Sequence, residues 1–215
     1  MREINLLKSV KKTKRNINLR KIKKNQTVIK IARKFGKEYF DGPRTYGYGG
    51  YRYDGRWKSV VKDFIKFYKL RKGDKVLDIG CAKGFFVNDL VDKGIDAYGI
   101  DISSYAIKNC HPKIKNRLKV GHATKIPFAD KSFKLVTSIN TLHNLTKIEL
   151  KKAIAEILRV KKLYSFIQVD SYKNINDKRL FLNWVLTAKT HMYPDDWKKF
   201  FLKNKYDGDF YWTFL

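Results

Sequence analysis

The stretch from residue 76 to residue 101 constrains the fold most. It begins VLDIGCAKGFF and ends YGID, so a short apolar strand leads into a glycine turn, a helix and a second strand that ends in an acid. Two strands joined by a helix in this way form a βαβ unit, and near-continuous apolar strands are typical of sheets covered on both faces. This unit predicts an α/β fold built on a parallel sheet.

The chain beyond this unit continues the alternation of apolar strands and amphipathic helices. We predict strands at 76–79, 97–100, 118–120, 133–139, 164–169 and 210–215. We predict helices at 57–70, 85–91, 105–110, 148–160, 180–188 and 194–202. The pattern indicates a Rossmann-like, doubly wound, mostly parallel sheet flanked by helices. Only one strand fits after the fifth, which indicates a sheet shortened at its C-terminal edge.

The N-terminal quarter of the chain differs from the rest. Residues 1–40 carry 14 Lys and Arg against 2 Glu, and the clearest helical pattern in them is at 28–35. Tyrosines and glycines then alternate through 41–56, where regular structure is not expected. We therefore divide the chain into a basic arm with a Tyr/Gly-rich segment, 1–56, and an α/β domain, 57–215.

The formal charge is +28, from 48 Lys and Arg against 20 Asp and Glu. Such a field favours weak, non-specific binding of polyanions. The basic residues are mostly lysine, and Ile, Asn, Phe and Tyr are also abundant. All of these can be written with A/T-rich codons, so genome composition explains the charge equally well. Both interpretations stay open.

Several classes of protein are disfavoured. No run of 18 apolar residues suggests a transmembrane helix, and the basic first 30 residues do not resemble a secretory signal. Cys81 and Cys110 have no C-x-x-C spacing, which predicts neither a disulfide framework nor a zinc site and favours a reducing, cytoplasmic setting. No His, Asp or Glu cluster has metal-ligand spacing, so we expect no metal.

The glycine turn and the acid of the second strand predict a nucleoside site. Gly80 and Gly84 allow a tight turn before a helix N-terminus, and Asp101 can accept the two hydroxyls of a ribose. A dinucleotide fingerprint would need a glycine at Ala82, and no P-loop motif is present. Asp78 would repel a pyrophosphate and suits a cationic ligand. S-adenosylmethionine (AdoMet) has a ribose, an ammonium and a sulfonium, and no phosphate.

Residues 72–145 resemble class I AdoMet-dependent methyltransferases, and most of all their type 11 branch. The resemblance lies in DIGCAKG at 78–84, GID at 99–101 and ATKIPFADKSF at 123–133. The segment FGKEYFDGPRTYGYGGYRYDGRW also resembles a bacterial subset linked to surface-polysaccharide and sugar modification. The resemblance implies an enzyme that methylates a small-molecule or sugar acceptor by in-line displacement. Where the family often has an acid for the adenine amino group, this chain has His122.

The predicted cofactor contacts combine the turn with the positions that the resemblance marks. They are Asp78, Gly80, Cys81, Gly84, Asp101, Ile102, Ala123 and Asn140. For Cys81 the alternative is a small turn residue, and for Ile102 it is simple core packing.

Two residues are candidates for a general base if the acceptor is a hydroxyl. His143 lies just after the fourth strand and Asp170 ends the fifth. The alternatives are a packing histidine at a helix start and a carboxylate in a salt bridge. We place His191 at the acceptor pocket, although packing is the more common role for such a histidine.

The segment 41–56 is predicted to cover the site as a lid. Tyr46, Tyr48 and Tyr51 offer flat faces with polar tips, and Arg56 could pair with a carboxylate. The alternative is an ordinary loop packed on the helix at 57–70. Two other functions stay open for the chain, an RNA methyltransferase that uses the basic arm and a non-catalytic AdoMet-binding protein. The chain contains no RRM, KH or OB signature that would favour RNA.

Overall fold

A computed structural model describes residues 1–10 and 15–215. Its centre is a sheet of parallel strands in the order β3-β2-β1-β4-β5-β6. The strands are β1 (Lys75–Ile79), β2 (Asp96–Asp101), β3 (Leu118–Val120), β4 (Phe133–Ile139), β5 (Lys161–Asp170) and β6 (Asp209–Thr213). The predicted doubly wound sheet is confirmed, and all of its ladder pairings are parallel.

Helices precede the sheet and cover both of its faces. They are α1 (Ile17–Lys23), α2 (Gln26–Ala32), α3 (Lys37–Phe40), α4 (Trp57–Tyr68), α5 (Phe85–Asp92), α6 (Ser104–Lys108), α7 (Lys147–Val160), α8 (Ile175–Trp184) and α9 (Pro194–Lys203). Short 3-10 helices span Pro112–Arg117 and Leu142–Asn144. No helix in the described part of the chain is long and apolar enough to cross a membrane.

The core has one large apolar cluster on each face of the sheet. On one face α7 and α9 bury Ile154, Trp197 and Phe201 against β4, β5 and β6. On the other face α4 and α5 bury Phe64 and Phe86. Because helices cover both faces, functional side chains can gather only where the strands end.

Two predicted helices are displaced, and N-terminal caps explain both corrections. The helix predicted at 180–188 is α8, which ends at Trp184 and starts five residues earlier because the side chain of Asn174 accepts a hydrogen bond from the Asp177 N–H. The helix predicted at 28–35 is α2, which Asn25 caps in the same way. Residues 41–56 contain no helix or strand, as predicted.

The first residues of the chain extend the sheet beyond β6, which sequence analysis did not predict. Glu3 pairs in parallel with Phe210 through hydrogen bonds from Ile4 N to Phe210 O, 2.9 Å, and from Phe210 N to Arg2 O, 3.0 Å. The Arg2 guanidinium donates two bonds of 2.9 Å to the buried carboxylate of Asp209. This start of the arm is therefore part of the sheet edge, while residues 11–14 of the predicted arm lie outside the described residues.

Tyr68 should stabilise this edge through its hydroxyl, which donates to Asp209 Oδ2 at 3.0 Å in a buried setting. We expect Tyr68→Phe to lower the free energy of unfolding by about 1.5–3 kcal/mol, the range for a hydrogen bond to a charged group. Urea denaturation measures the difference. Tyr164→Phe is the control, because Tyr164 packs against Tyr68 and its hydroxyl bonds to no other described residue. Equal stability of the two variants would contradict the expectation.

Candidate functional site

The turn between β1 and α5 is held in a strained conformation by an acid on the neighbouring strand. Gly80, Ala82 and Gly84 have φ values of 77°, 52° and 73°, a region that favours glycine. The carboxylate of Asp101, at the end of β2, accepts hydrogen bonds from the N–H groups of Ala82 and Ser103, both at 2.8 Å. Asp101 therefore fixes the shape of the loop that sequence analysis assigned to the cofactor.

Asp101 also keeps the capacity to bind a ligand. Burial raises its pKa, although the two backbone N–H groups oppose this rise. A carboxylate has about four lone-pair positions, and the two backbone bonds occupy two of them. The positions that remain suit the two hydroxyls of a ribose, so this side of the site fits a nucleoside.

Asp78 is a second buried carboxyl at the same edge of the sheet. It is 5% exposed, and its Oδ1 accepts a hydrogen bond of 2.8 Å from Thr137 Oγ1. Burial raises its pKa to about 7, with the hydrogen bond from Thr137 opposing the rise and the charge of Asp101 adding to it. A positively charged ligand would favour the ionised form, which fits the ammonium or sulfonium of AdoMet.

The remaining predicted cofactor residues lie near this turn or at neighbouring strand ends. Cys81 is buried against Gly99, where a Cβ would come within 2.6 Å of its sulfur, so it packs the turn. Ile102 follows Asp101 and is 54% exposed, whereas Ala123 is buried in the core. Asn140, with a φ of 55°, directly follows β4 and accepts a hydrogen bond from the Thr213 hydroxyl. Ile102 therefore leaves an apolar side chain open beside the predicted ribose site.

The two candidate bases, His143 and Asp170, contact each other. The Nδ1 atom of His143 accepts a hydrogen bond of 3.0 Å from the backbone N–H of Asp170. The proton of the neutral ring is therefore on Nε2, which lies 3.4 Å from Asp170 Oδ2. Since neither nitrogen is open to a substrate, His143 orients Asp170 in this arrangement. The Asp170 side chain is the more exposed of the two, 22% against 6%.

Asp41 fastens the Tyr/Gly-rich segment onto the cofactor turn. Its carboxylate accepts hydrogen bonds from Lys83 Nζ at 2.7 and 2.8 Å, from Tyr105 Oη at 2.7 Å and from Tyr51 N at 3.1 Å. Burial acts to raise its pKa, but the bonds from Lys83, Tyr105 and Tyr51 outweigh burial and lower it. We refer to Asp41 and these three partners as the latch.

Aromatic rings carry the segment across the turn. Tyr51 stacks on Phe85 at the start of α5, with ring centres 4.9 Å apart and planes at 14°. The ring centre of Tyr48 lies 4.4 Å from that of Tyr51 and 5.9 Å from that of Phe40. These rings therefore join the segment 41–56 to the start of α5.

Three other predicted residues are engaged elsewhere in the structure. Tyr46 packs near Leu186 in a small apolar cluster. Arg56 forms a two-pronged salt bridge with Asp54, at 2.6 and 2.8 Å, so its charge is already balanced. His191 packs among aromatic rings beside α8, and burial lowers its pKa, as do nearby lysines. None of these three contacts the cofactor turn.

Sequence reasoning missed the latch. Asp41 and Lys83 lie 42 positions apart, and no periodic pattern links them. The one signal available in the sequence was Asp41 itself, an acid that follows the aromatic pair Tyr39-Phe40 and begins the glycine-rich segment. In the described residues, no group of three His, Cys, Asp or Glu side chains is arranged to hold a metal ion.

Comparison with known proteins agrees with this geometry. Residues 77–164 match the family model described as a methyltransferase domain. Over these residues the match, the fold and the turn agree with the resemblance to class I AdoMet-dependent methyltransferases. The surface-polysaccharide subset receives no support from the comparison.

Individual relatives are similar over part of their length. A demethylmenaquinone methyltransferase of Renibacterium salmoninarum is 36% identical over 110 residues, which are 50% of this chain and 44% of that protein. An uncharacterized protein of Methanocaldococcus jannaschii is 32% identical over 127 residues, 59% of this chain and 47% of that protein. The matched part of this chain thus spans less than half of these curated relatives.

Solved structures share the fold. A SAM-dependent methyltransferase from Archaeoglobus fulgidus has a TM-score of 0.58 and 22% identity, with 78% of this chain and 71% of that chain covered. The YcgJ protein from Bacillus subtilis has a TM-score of 0.57 and 21% identity, with 67% and 66% covered.

Proposed function

We propose that the chain transfers the methyl group of AdoMet to a small-molecule acceptor held between the α/β domain, 57–215, and the segment 41–56. The observation that carries this proposal is the latch, in which Asp41 bonds to Lys83 of the cofactor turn while the Tyr51 ring stacks on Phe85. Asp101 marks the cofactor side of the site, and Asp170 is a carboxylate on the opposite side. The segment therefore covers the space in which donor and acceptor would meet.

The chemistry needs alignment more than activation, because the sulfonium methyl group is already electrophilic. Excluding water and fixing the acceptor in line with sulfur and methyl would supply most of the rate enhancement. For a hydroxyl acceptor we propose Asp170 as the group that takes the proton, with His143 as the residue that positions it. For an amine or a carboxylate acceptor no base is required.

The acceptor class is inferred from two lines of support. The names of two relatives, demethylmenaquinone methyltransferase and the phosphoethanolamine N-methyltransferase 3 of Arabidopsis thaliana, refer to small organic acceptors. The second relative matches only 39% of this chain. Tyrosines 48 and 51 add flat faces with polar tips, which suit a sugar or another ring that carries hydroxyls.

The function is tested with AdoMet that carries an isotope-labelled methyl group. The full chain is incubated at physiological salt with a fractionated metabolite extract and, in parallel, with purified tRNA and rRNA. We expect label in a small-molecule fraction and none with Asp101→Ala. Label that enters only the RNA would replace this proposal with the RNA alternative.

The lid role of the segment 41–56 gives a separate prediction. Asp41→Ala removes the carboxylate that joins the latch, so we expect faster hydrogen exchange in 41–56 and about tenfold weaker binding of S-adenosylhomocysteine (AdoHcy), equivalent to roughly 1.4 kcal/mol. Exchange mass spectrometry and calorimetry measure the two effects.

The matched control is Asp54→Ala, which breaks an exposed salt bridge in the same segment. This control should leave both quantities near those of the wild-type chain, since exposed ion pairs contribute little. If Asp41→Ala behaved like Asp54→Ala, the segment would be an ordinary loop.

A further inference from the structure

Three arginines surround the indole of Trp184, the last residue of α8. The guanidinium carbon of Arg20 lies 4.7 Å from the centre of the indole ring. Those of Arg44 and Arg15 lie 5.5 and 5.6 Å from it. Arg15 precedes α1, Arg20 lies within α1 and Arg44 belongs to the segment 41–56. Separate parts of the chain therefore bring like charges to one aromatic ring; we refer to these four residues as the arginine cluster.

The arginines of this cluster, Arg15, Arg20 and Arg44, have no ion-pair partner in the described part of the chain. By contrast, Arg56 and Arg159 do pair with carboxylates. Burial lowers the pKa of Arg20, and the charge of Arg44 lowers it further. Guanidinium groups that repel one another in a partly desolvated setting favour the binding of an anion.

Hydrogen bonds hold the cluster in place without neutralising it. Arg20 is buried and donates to the carbonyl oxygens of Thr45 at 3.2 Å and Gly47 at 3.1 Å. Arg44 donates to the carbonyl oxygen of Tyr48. Arg20 is thus bonded to the segment 41–56, to which Arg44 belongs, while Arg15 and Arg44 remain exposed.

The cluster lies on the acceptor side of the site. Trp184 ends α8, the helix that follows β5 and Asp170. After Trp184 the chain returns to the strand ends, where the Lys189 N–H donates to the carbonyl oxygen of His143 at 2.9 Å. A ligand that reaches the arginines would therefore extend past Asp170, away from the ribose site.

We propose that the arginine cluster binds an anionic group, a carboxylate or a phosphate, of the methyl acceptor. This inference rests on the proposed methyltransferase function and narrows its substrate to an acidic small molecule. Arg15 and Arg44 donate to the oxyanion, Arg20 fixes their geometry, and Trp184 supplies a flat face beside it. The anionic group anchors the acceptor at a distance from the atom that receives the methyl group.

The test uses the full chain saturated with AdoHcy, and calorimetry at constant ionic strength with phenyl phosphate and with benzoate. The double variant R15Q/R44Q removes two charges from the cluster. The matched control K75Q/K93Q removes two charges from exposed positions at the start of β1 and the end of α5, at the edge of the sheet opposite the turn. AdoHcy affinity is measured first on every protein, so that failure of the cofactor site is seen separately from failure of the anion site.

We expect the wild-type chain and the control to bind at least one of the two probes, and R15Q/R44Q to bind it at least tenfold more weakly with unchanged AdoHcy affinity. Preference for phenyl phosphate would indicate a phosphorylated acceptor, and preference for benzoate a carboxylated one. The proposal is overturned if neither probe binds, if the control loses as much affinity as R15Q/R44Q, or if R15Q/R44Q loses AdoHcy affinity. The last result would assign the cluster to the carboxylate of the cofactor.

Discussion

Replacing Asp101 with alanine should weaken AdoHcy binding by about 1.5–3 kcal/mol, or roughly 10- to 150-fold, since hydrogen bonds to a charged group are lost. The loss has two sources. The ribose loses its acceptor, and the N–H groups of Ala82 and Ser103 lose the carboxylate that shapes the turn. Calorimetry with AdoHcy measures the affinity at a temperature where urea denaturation shows each protein to be folded.

Asp96→Ala is the matched control for this prediction. Asp96 begins the same strand that Asp101 ends, so it lies at the opposite edge of the sheet, where it pairs with Arg117. Its removal should leave AdoHcy affinity unchanged. Equal affinity of the Asp101 variant and the wild-type chain would refute the assignment of this edge to the cofactor.

Local patterns in the sequence were sufficient to predict the sheet. The strands at 76–79 and 133–139 are short apolar runs whose side chains are buried whichever face they point to, and turns bound them in the sequence. Helix α8 shows where such reasoning loses accuracy. Its start depends on one capping side chain, Asn174, rather than on the apolar stripe that runs on past Trp184.

Contacts between distant residues could not be predicted in this way. The pairing of Glu3 with Phe210 joins the two ends of the described chain through a single bridge, and nothing in the residues near Glu3 indicates a strand. The arginine cluster likewise depends on Trp184 meeting arginines far from it in the sequence. Such contacts result from the packing of whole elements, so single-segment patterns carry no signal for them.

In the candidate site too, the sequence indicated which residues to consider but not what each of them does. Sequence reasoning selected His143 and Asp170 as possible bases from their places after β4 and at the end of β5. It could not assign their roles, because these depend on the hydrogen bond from Asp170 N to His143 Nδ1 across 27 positions. That bond occupies His143 Nδ1, so Asp170 is the group that we propose takes the proton of a hydroxyl acceptor.

Asp78 should make cofactor binding depend strongly on pH. Burial raises its pKa to about 7, so the empty site holds a proton on Asp78 below that pH. A cationic cofactor favours the ionised carboxylate, and the proton must then be released on binding. We therefore expect AdoMet affinity to rise as pH increases from 5 to 7, by up to about tenfold per pH unit, and to level off above 7. Calorimetry in buffers of different ionisation enthalpy counts the protons released.

The carboxyl group of Asp78 should also make the free energy of unfolding depend on pH. This free energy falls as pH rises, whereas AdoMet affinity increases. Since the pKa of Asp78 is raised in the folded chain, ionisation penalises folding progressively between the unfolded value, 3.8, and about 7, and the penalty is complete above that. Its full size is on the order of 4 kcal/mol. Asp78→Asn should therefore gain stability relative to the wild-type chain as pH rises from 5 to 8, while its AdoMet affinity becomes nearly independent of pH. If the variant and the wild-type chain showed parallel profiles in both measurements, Asp78 would not be the group that titrates with the cofactor.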